Sequence, residues 1–157
     1  MSGLVLVPAA DAHFAWMLGE ADAPDDLRLP PGGLDAPWVF KWLRRTLPTL
    51  GGYGSWLMVA GGEVVGLCSY KRAPGADGVI EVGYGVAPER RRLGHATRAA
   101  ALLLAAARQD PRVRAVTAET ALANLPSQRV LEANGFVQTG RSTDDDEGET
   151  IVWGLEL

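Results

Sequence analysis

Between residues 55 and 86 the chain carries three strand-like runs separated by turns too short to hold a helix. Ser55–Ala60 and residues 63–71 flank Gly61-Gly62, a pair suited to a two-residue hairpin turn. Residues 73–78 form the next turn, and Val79–Val86 is the third run. Strands joined this tightly pair antiparallel, because a parallel return needs a long crossover. An antiparallel meander therefore occupies the middle of the fold, and the remaining elements must pack around it.

Before the meander the pattern is helical. Residues 4–7 read as a short strand that Pro8 ends, and Asp11 caps a helix through about residue 20, with Phe14, Met17 and Leu18 on one face. Residues 22–33 hold three prolines, two glycines and three aspartates and read as a loop. Asp35 is the next cap, with Pro37 in the first turn. That helix runs to about Leu47, where Pro48 stops it, and Val39, Leu43 and Leu47 form its buried stripe.

After the meander an arginine-dense loop, residues 88–93, leads to Gly94 and a helix rich in alanine and leucine through about Gln109. Residues 115–119 form a strand reached through that helix, so a parallel crossover is expected. Pro126 opens a helix over residues 127–133, which Asn134-Gly135 ends. Strands over 136–141 and 150–157 follow, with an acidic turn at 144–148 between them. The order is βαα, then βββ, then αβαββ. It predicts an α/β (mixed α+β) fold: a mostly antiparallel sheet of about six or seven strands with about four helices. No linker divides residues 1–157, so a single domain is expected.

Composition narrows the functions. Fifteen basic against nineteen acidic residues give a net charge of −4, which argues against nucleic acid as a partner. No apolar run approaches the roughly 18 residues of a membrane helix, so no membrane partner is expected. Cys68 is the one cysteine and excludes an intramolecular disulfide. With no signal-peptide pattern at the N-terminus, the expected compartment is the cytoplasm. Cys68 lies in an apolar strand and reads as a small hydrophobe. His13 and His95 do not form a ligand set, so no metal is expected.

The stretch VIEVGYGVAPERRRLGHA, residues 79–96, runs from a strand through a short loop into a helix. The first amides of a helix lack partners, and the helix dipole favours an anion there. Gly94 removes a side chain at the entrance, and Arg90, Arg91 and Arg92 add positive charge. A diphosphate is the natural guest. Gly83 and Gly85, inside the preceding strand, mark a bulge or the close approach of another backbone or a ligand. Neither the phosphate loop of nucleotide hydrolases nor the dinucleotide fingerprint is present.

Arg91-Arg92-Leu93-Gly94-His95-Ala96 resembles the Arg/Gln-x-x-Gly-x-Gly/Ala signature of the GNAT acetyltransferase superfamily. About thirty residues on, the run NLPSQRVLEANGF (residues 124–136) resembles the second motif of that family: an Asn, a Ser, then a helix ending in Gly-Phe. The IEVGYGV wording of residues 80–86 and the Asn-x-x-Ser form look most like the branch that includes ribosomal-protein N-terminal acetyltransferases. The resemblance implies a GNAT-like sheet and acetyl-CoA as the donor substrate. It implies that the backbone of Arg91, Arg92, Leu93, Gly94, His95, Ala96 and Thr97 holds the pyrophosphate. It places the pantetheine arm between the strand ending at Val86 and the strand ending at Glu119, paired like an added strand, with Asn124 reaching that arm.

Acetyl transfer to an amine needs a neutral amine, a donor for the oxyanion and help for the leaving thiolate. A lysine-like amine near pKa 10.4 is neutral only about once in 2,500 molecules at pH 7, whereas an α-amine near 7.7 to 8.0 needs less help. Glu81 and Glu119 are the candidate bases. The backbone N–H of Val86 or Ala87, freed by a bulge, is the candidate oxyanion donor. Many family members use a tyrosine four residues before the Gly of Gly-Phe as the acid; here that position is Leu131. In the Asn-x-x-Ser branch the serine takes that place, which implies Ser127, with helix capping as its other reading. The acidic residues 144–147 read as a solvated hairpin tip or as a lure for a cationic substrate. Trp38 and Trp42, four apart, read as core or as a wall of the acceptor pocket. The reading is an N-acetyltransferase acting on a small-molecule or peptide amine by direct attack, as a monomer or homodimer; the alternative is a non-catalytic acyl-CoA-binding module.

Overall fold

A computed structural model describes residues 3–34, 37–50 and 54–157. Among these residues, seven strands form one sheet in the order β1-β2-β3-β4-β5-β7-β6. They are β1 (Val5–Pro8), β2 (Ser55–Ala60), β3 (Glu63–Tyr70), β4 (Val79–Val86), β5 (Ala115–Ala121), β6 (Val137–Asp144) and β7 (Gly148–Glu156). The helices are α1 (Asp11–Met17), α2 (Pro37–Thr46), α3 (His95–Arg108) and α4 (Leu125–Ala133). The expected fold class and element order are those observed.

The local chemistry behaves as the residue types dictate. Gly61 and Gly62, with φ of 58° and 80°, make the β2–β3 turn that needs two positive dihedrals. Pro8 is the last residue of β1, opposite Trp56, rather than just beyond the strand; β1 is an edge strand, where a missing N–H is tolerated. Asp11 does not cap α1. The His13 imidazole does so, its Nδ1 accepting the Ala10 N–H at 2.9 Å, while Asp11 is held by Arg44, Nη2 to Oδ2 at 2.9 Å. The helix ends at Met17, where Leu18 caps it and Gly19 turns left-handed. The proposed cap Asp35 lies outside the described residues.

Two cores lie on opposite faces of the sheet. Phe14, Phe40 and Leu43 of α1 and α2 pack on Leu57, Val59, Val64 and Leu67 of β2 and β3. On the other face Ala99, Leu103, Leu104 and Ala107 of α3 and Leu131 of α4 pack on Ile80, Val82, Val116 and Ala118. Alanines along α3 let its axis lie close to the sheet, and each fully buried large side chain contributes about 1.5–3 kcal/mol. Val39 and Leu47 join the first core only in part. Trp38 and Trp42 are not core: they are 68% and 39% exposed. Phe40 and Leu43 occupy the buried stripe of α2 and turn the tryptophans outward.

The parallel crossover leaves a break in the sheet. β4 and β5 pair only at Val79↔Ala115, Ile80↔Val116 and Glu81↔Thr117. Beyond that point β4 stays with β3 as far as Val86↔Gly66, and β5 stays with β7 as far as Ala121↔Thr150. The sheet therefore forks after Glu81 and Thr117, with two unpaired strand edges facing one another.

Candidate active site

The edge of β4 inside the fork can be read from its ladder with β3. Lys71 N–H donates to the Glu81 carbonyl at 2.7 Å, and Ala87 N–H donates to the Val65 carbonyl at 2.8 Å. Antiparallel pairs alternate, so odd-numbered residues of β4 bond to β3 and the amides of Tyr84 and Val86 point into the fork. Of the two proposed oxyanion donors, Ala87 is therefore already spent on Val65, and no bulge in β4 frees it. The register shifts of the sheet lie elsewhere, between Met58 and Val59 on β2 and between Gln138 and Gly140 on β6.

From Val86 the chain turns through Pro88–Arg90 into α3. The α3 ladder begins with Arg98 N–H on the Gly94 carbonyl at 3.0 Å. Among the described residues, no backbone acceptor meets the N–H groups of residues 91–97. Gly94 is left-handed (φ 82°), and a Cβ there would meet nothing within 4 Å, so the glycine serves the turn while its surroundings stay open. Arg92 shares the left-handed conformation at φ 65°. Leu93 and Arg92 are exposed, and His95, Ala96 and Thr97 are half-buried in the first turn of α3.

The three arginines do not act together. Arg90 grips the Glu63 carboxylate through Nε at 2.6 Å and Nη2 at 3.1 Å, so its charge is answered within the fold. Arg91 folds back with Nε on the Val86 carbonyl at 3.1 Å, satisfying one acceptor at the mouth of the fork.

The candidate bases stand at different heights. Glu81 belongs to the last pair before the fork, and its carboxylate lies 3.4 Å from the Lys71 ammonium. Glu119 is two residues beyond Thr117, on the same face by strand alternation. Among the described residues no hydrogen bond or ion pair engages its carboxylate. Gly83 receives the stem of Lys71, whose Cε would stand 2.8 Å from an added Cβ. Its missing side chain is thus filled from within the protein.

At the head of α4, Asn124 is the cap, its Oδ1 accepting the Ser127 N–H at 3.2 Å. The capping role lies with Asn124, and the Ser127 hydroxyl is 2.9 Å from the Tyr84 hydroxyl. Sequence reasoning does not single out Tyr84. A half-buried tyrosine between two glycines is the available signal, because a phenol inside a fold seeks a partner for its hydroxyl. Burial pushes the Tyr84 phenol up, and its hydrogen bond with Ser127 pulls the other way. Leu131 is fully buried in the core between the sheet and α3 and α4.

Other candidates fall away. Burial pushes the Cys68 thiol up to about 12. The acidic tip is organised by Asp144, whose Oδ1 accepts the Asp146 and Glu147 N–H groups at 2.8 and 3.0 Å; those bonds hold its carboxyl below the usual range. Among the described residues, no cluster of His, Cys, Asp and Glu could hold a metal, and no helix is long and apolar enough to cross a membrane. A groove of about 330 Å³ opens at the paired end of β4 and β5, beside Arg114, Val137 and Glu156, away from the fork.

Comparison with known proteins gives the context. The family profile described as an acetyltransferase (GNAT) domain matches residues 4–137. A curated relative, the uncharacterized N-acetyltransferase YjdG of Bacillus subtilis (strain 168), is 33% identical over 95 residues. That match takes in 59% of this chain and 56% of the relative, so the chain spans little more than half of that protein's length. Among solved structures, RimL, a ribosomal L7/L12 alpha-N-protein acetyltransferase in complex with coenzyme A, superposes with a TM-score of 0.75 at 16% identity, covering 100% of this chain and 96% of that one. RimJ of Mycobacterium smegmatis, in complex with a CoA-disulfide, gives a TM-score of 0.73 at 23% identity, covering 98% of this chain and 81% of that one. At these identities the superpositions speak for the fold.

Proposed function

Because the chain belongs to the GNAT acetyltransferase family, we propose that it transfers an acetyl group from acetyl-CoA to a primary amine, in a ternary complex and without an acyl-enzyme. The observation that carries this reading is the continuity of the fork with the open turn. Unpaired amides at Tyr84 and Val86 lead directly to the unpartnered N–H groups of residues 91–97. A ligand with an extended amide-bearing arm and a diphosphate matches both parts. Acetyl-CoA supplies the activated acetyl group.

The chain's own residues divide the work. The amides of Arg91, Arg92, Leu93, Gly94, His95, Ala96 and Thr97 hold the pyrophosphate, helped by the α3 dipole. The Asn124 carboxamide keeps its Nδ2 for the pantetheine arm. Val86 N–H is the oxyanion donor, because Ala87 is committed to Val65. Glu119 is the base, directly or through one water. If the parallel register is continued, Glu119 stands level with Gly83, one residue from Tyr84, whereas Glu81 lies three residues away, about 10 Å at the strand rise. Lys71 also holds the Glu81 carboxylate. Ser127 supports the leaving thiolate. Residues 1–157 act as one cytoplasmic catalytic domain, as a monomer or a homodimer, on a protein N-terminus or a small-molecule amine.

Calorimetric titration with CoA and acetyl-CoA tests the donor site, and thiol release across a panel of N-terminal peptides, polyamines and amino acids tests transfer. A one-to-one complex with a raised melting temperature is expected, followed by turnover with one class of amine. Failure to bind either nucleotide overturns the reading. Binding without turnover for any amine converts it to an acyl-CoA-sensing module, the reading that Leu131 favours by leaving α4 without a phenol.

A further inference from the structure

The Tyr84 hydroxyl has one proton and two acceptors within reach on the same residue. Ser127 Oγ is at 2.9 Å and the Ser127 carbonyl oxygen at 3.2 Å. The carbonyl only accepts, whereas the serine hydroxyl does either. Two arrangements follow. When the phenol donates to the carbonyl, the serine proton turns back onto the phenol oxygen and the serine offers only lone pairs to the fork. When the phenol donates to Oγ, the serine proton is free to point elsewhere. The phenol thereby sets the polarity of the serine.

Both residues border the fork. Tyr84 lies on its β4 edge and reaches from the face of the sheet that α3 covers to the first turn of α4, forty-three residues along the chain. A thiolate generated there needs a donor and selects the second arrangement. We propose that Tyr84 is a positioning residue that holds the Ser127 hydroxyl as a hydrogen-bond donor to the leaving sulfur, so that a strand supplies the phenol that α4 lacks at Leu131. This rests on the acetyl-CoA reading above.

Acidity decides what the pair does. Burial raises the phenol above its ordinary value near 10, whereas a thiol sits at about 8.5. The proton therefore stays on oxygen. The amine nitrogen bonds to the acetyl carbon and gives its proton to Glu119; as the oxyanion re-forms the carbonyl, the carbon–sulfur bonding pair passes to sulfur, the two hydroxyls stabilise that charge by hydrogen bonding, and the sulfur takes its proton from solvent.

The test reads the thiol rather than turnover. The affinities of CoA and acetyl-CoA are measured by calorimetry from about pH 6.5 to 9.5. Their ratio isolates ionisation of the CoA thiol, because acetyl-CoA has none. In the wild type the ratio is expected to shift about tenfold toward CoA as pH rises, equivalent to about one unit of thiol pKa. Tyr84→Phe and Ser127→Ala are each expected to reduce that shift to about threefold or less, and the double variant to add nothing to Ser127→Ala. Ser127→Thr, which keeps the hydroxyl, is expected to restore it. A wild-type shift retained in Tyr84→Phe, with an unchanged melting temperature, overturns the role of Tyr84. Failure of the wild type to bind CoA overturns the acetyl-CoA reading instead, so the two failures are distinct.

Discussion

Arg90 holds Glu63 through two nitrogens, at 2.6 and 3.1 Å, and thereby ties the turn before α3 to the first residue of β3. The guanidinium lowers the Glu63 carboxyl below its ordinary 4.5. A lowered folded-state pKa stabilises the protein above the ordinary value, and that stabilisation is lost as pH falls through the folded value. The melting temperature of the wild type should therefore fall below about pH 4.5 more steeply than that of Glu63→Gln. Arg90→Ala should cost about 1–3 kcal/mol of stability in denaturant melts, because it strands a largely covered carboxylate. Its affinity for CoA should stay within about threefold of wild type, because this arginine is not available to a phosphate.

Gly94→Val should separate folding from binding. A left-handed dihedral costs a non-glycine residue roughly 1–2 kcal/mol, so the melting temperature should drop by about 2–8 °C. The added side chain meets open space in the free protein but stands where the pyrophosphate must approach. Calorimetry should show CoA affinity reduced at least about tenfold.

Glu119→Gln should lower kcat by about 10²–10⁴-fold with little change in acetyl-CoA KM, the signature of a lost general base. Glu81→Gln should cost less than about tenfold, because that carboxylate is engaged by Lys71 and stands farther from Tyr84. Steady-state kinetics on both variants decide between them, and the reverse ranking would reassign the base.

Cys68 should resist alkylation. With its thiol near 12, the thiolate is scarce at pH 8, and the strand buries the sulfur. Mass spectrometry after iodoacetamide treatment should show labelling only once denaturant unfolds the chain, and Cys68→Ala should retain turnover.

Neighbouring positions on α2 should respond very differently to truncation. Trp38 is 68% exposed and Phe40 is 5% exposed. Trp38→Ala should change stability by no more than about 0.5 kcal/mol, whereas Phe40→Ala should cost about 3–5 kcal/mol. Urea melts measure both.

The legible parts of this protein are those encoded over short distances. Gly61-Gly62 announces its hairpin, Gly94 its left-handed turn, and the crossover between β4 and β5 follows from one helix between two strands. The features that eluded sequence reasoning depend on residues brought together across the chain. Asp11 fails as a cap because Arg44, thirty-three residues away, claims it. Arg90 is neutralised by a glutamate twenty-seven residues earlier. On α2, apolar residues at 38, 39, 42 and 43 span too wide an arc for periodicity to choose the buried side; the β2–β3 face chooses Leu43 and Phe40. Tyr84 was invisible as a site residue for the same reason, since its partner lies on α4.

Among the described residues, the short strip of pairing at Val79, Ile80 and Glu81 is what joins β4 to β5, against seven paired positions between β5 and β7. Mechanically, the strip is a pivot between two stiff plates, and the five residues of β4 beyond it are a lever about 16 Å long. A rotation of about 5° at the pivot moves Val86 by about 1.4 Å at that arm length, comparable to the margin within which a hydrogen bond is made or lost. A substitution at Ile80 or Val116, which lie in the strip itself, should therefore shift Val86 without touching it.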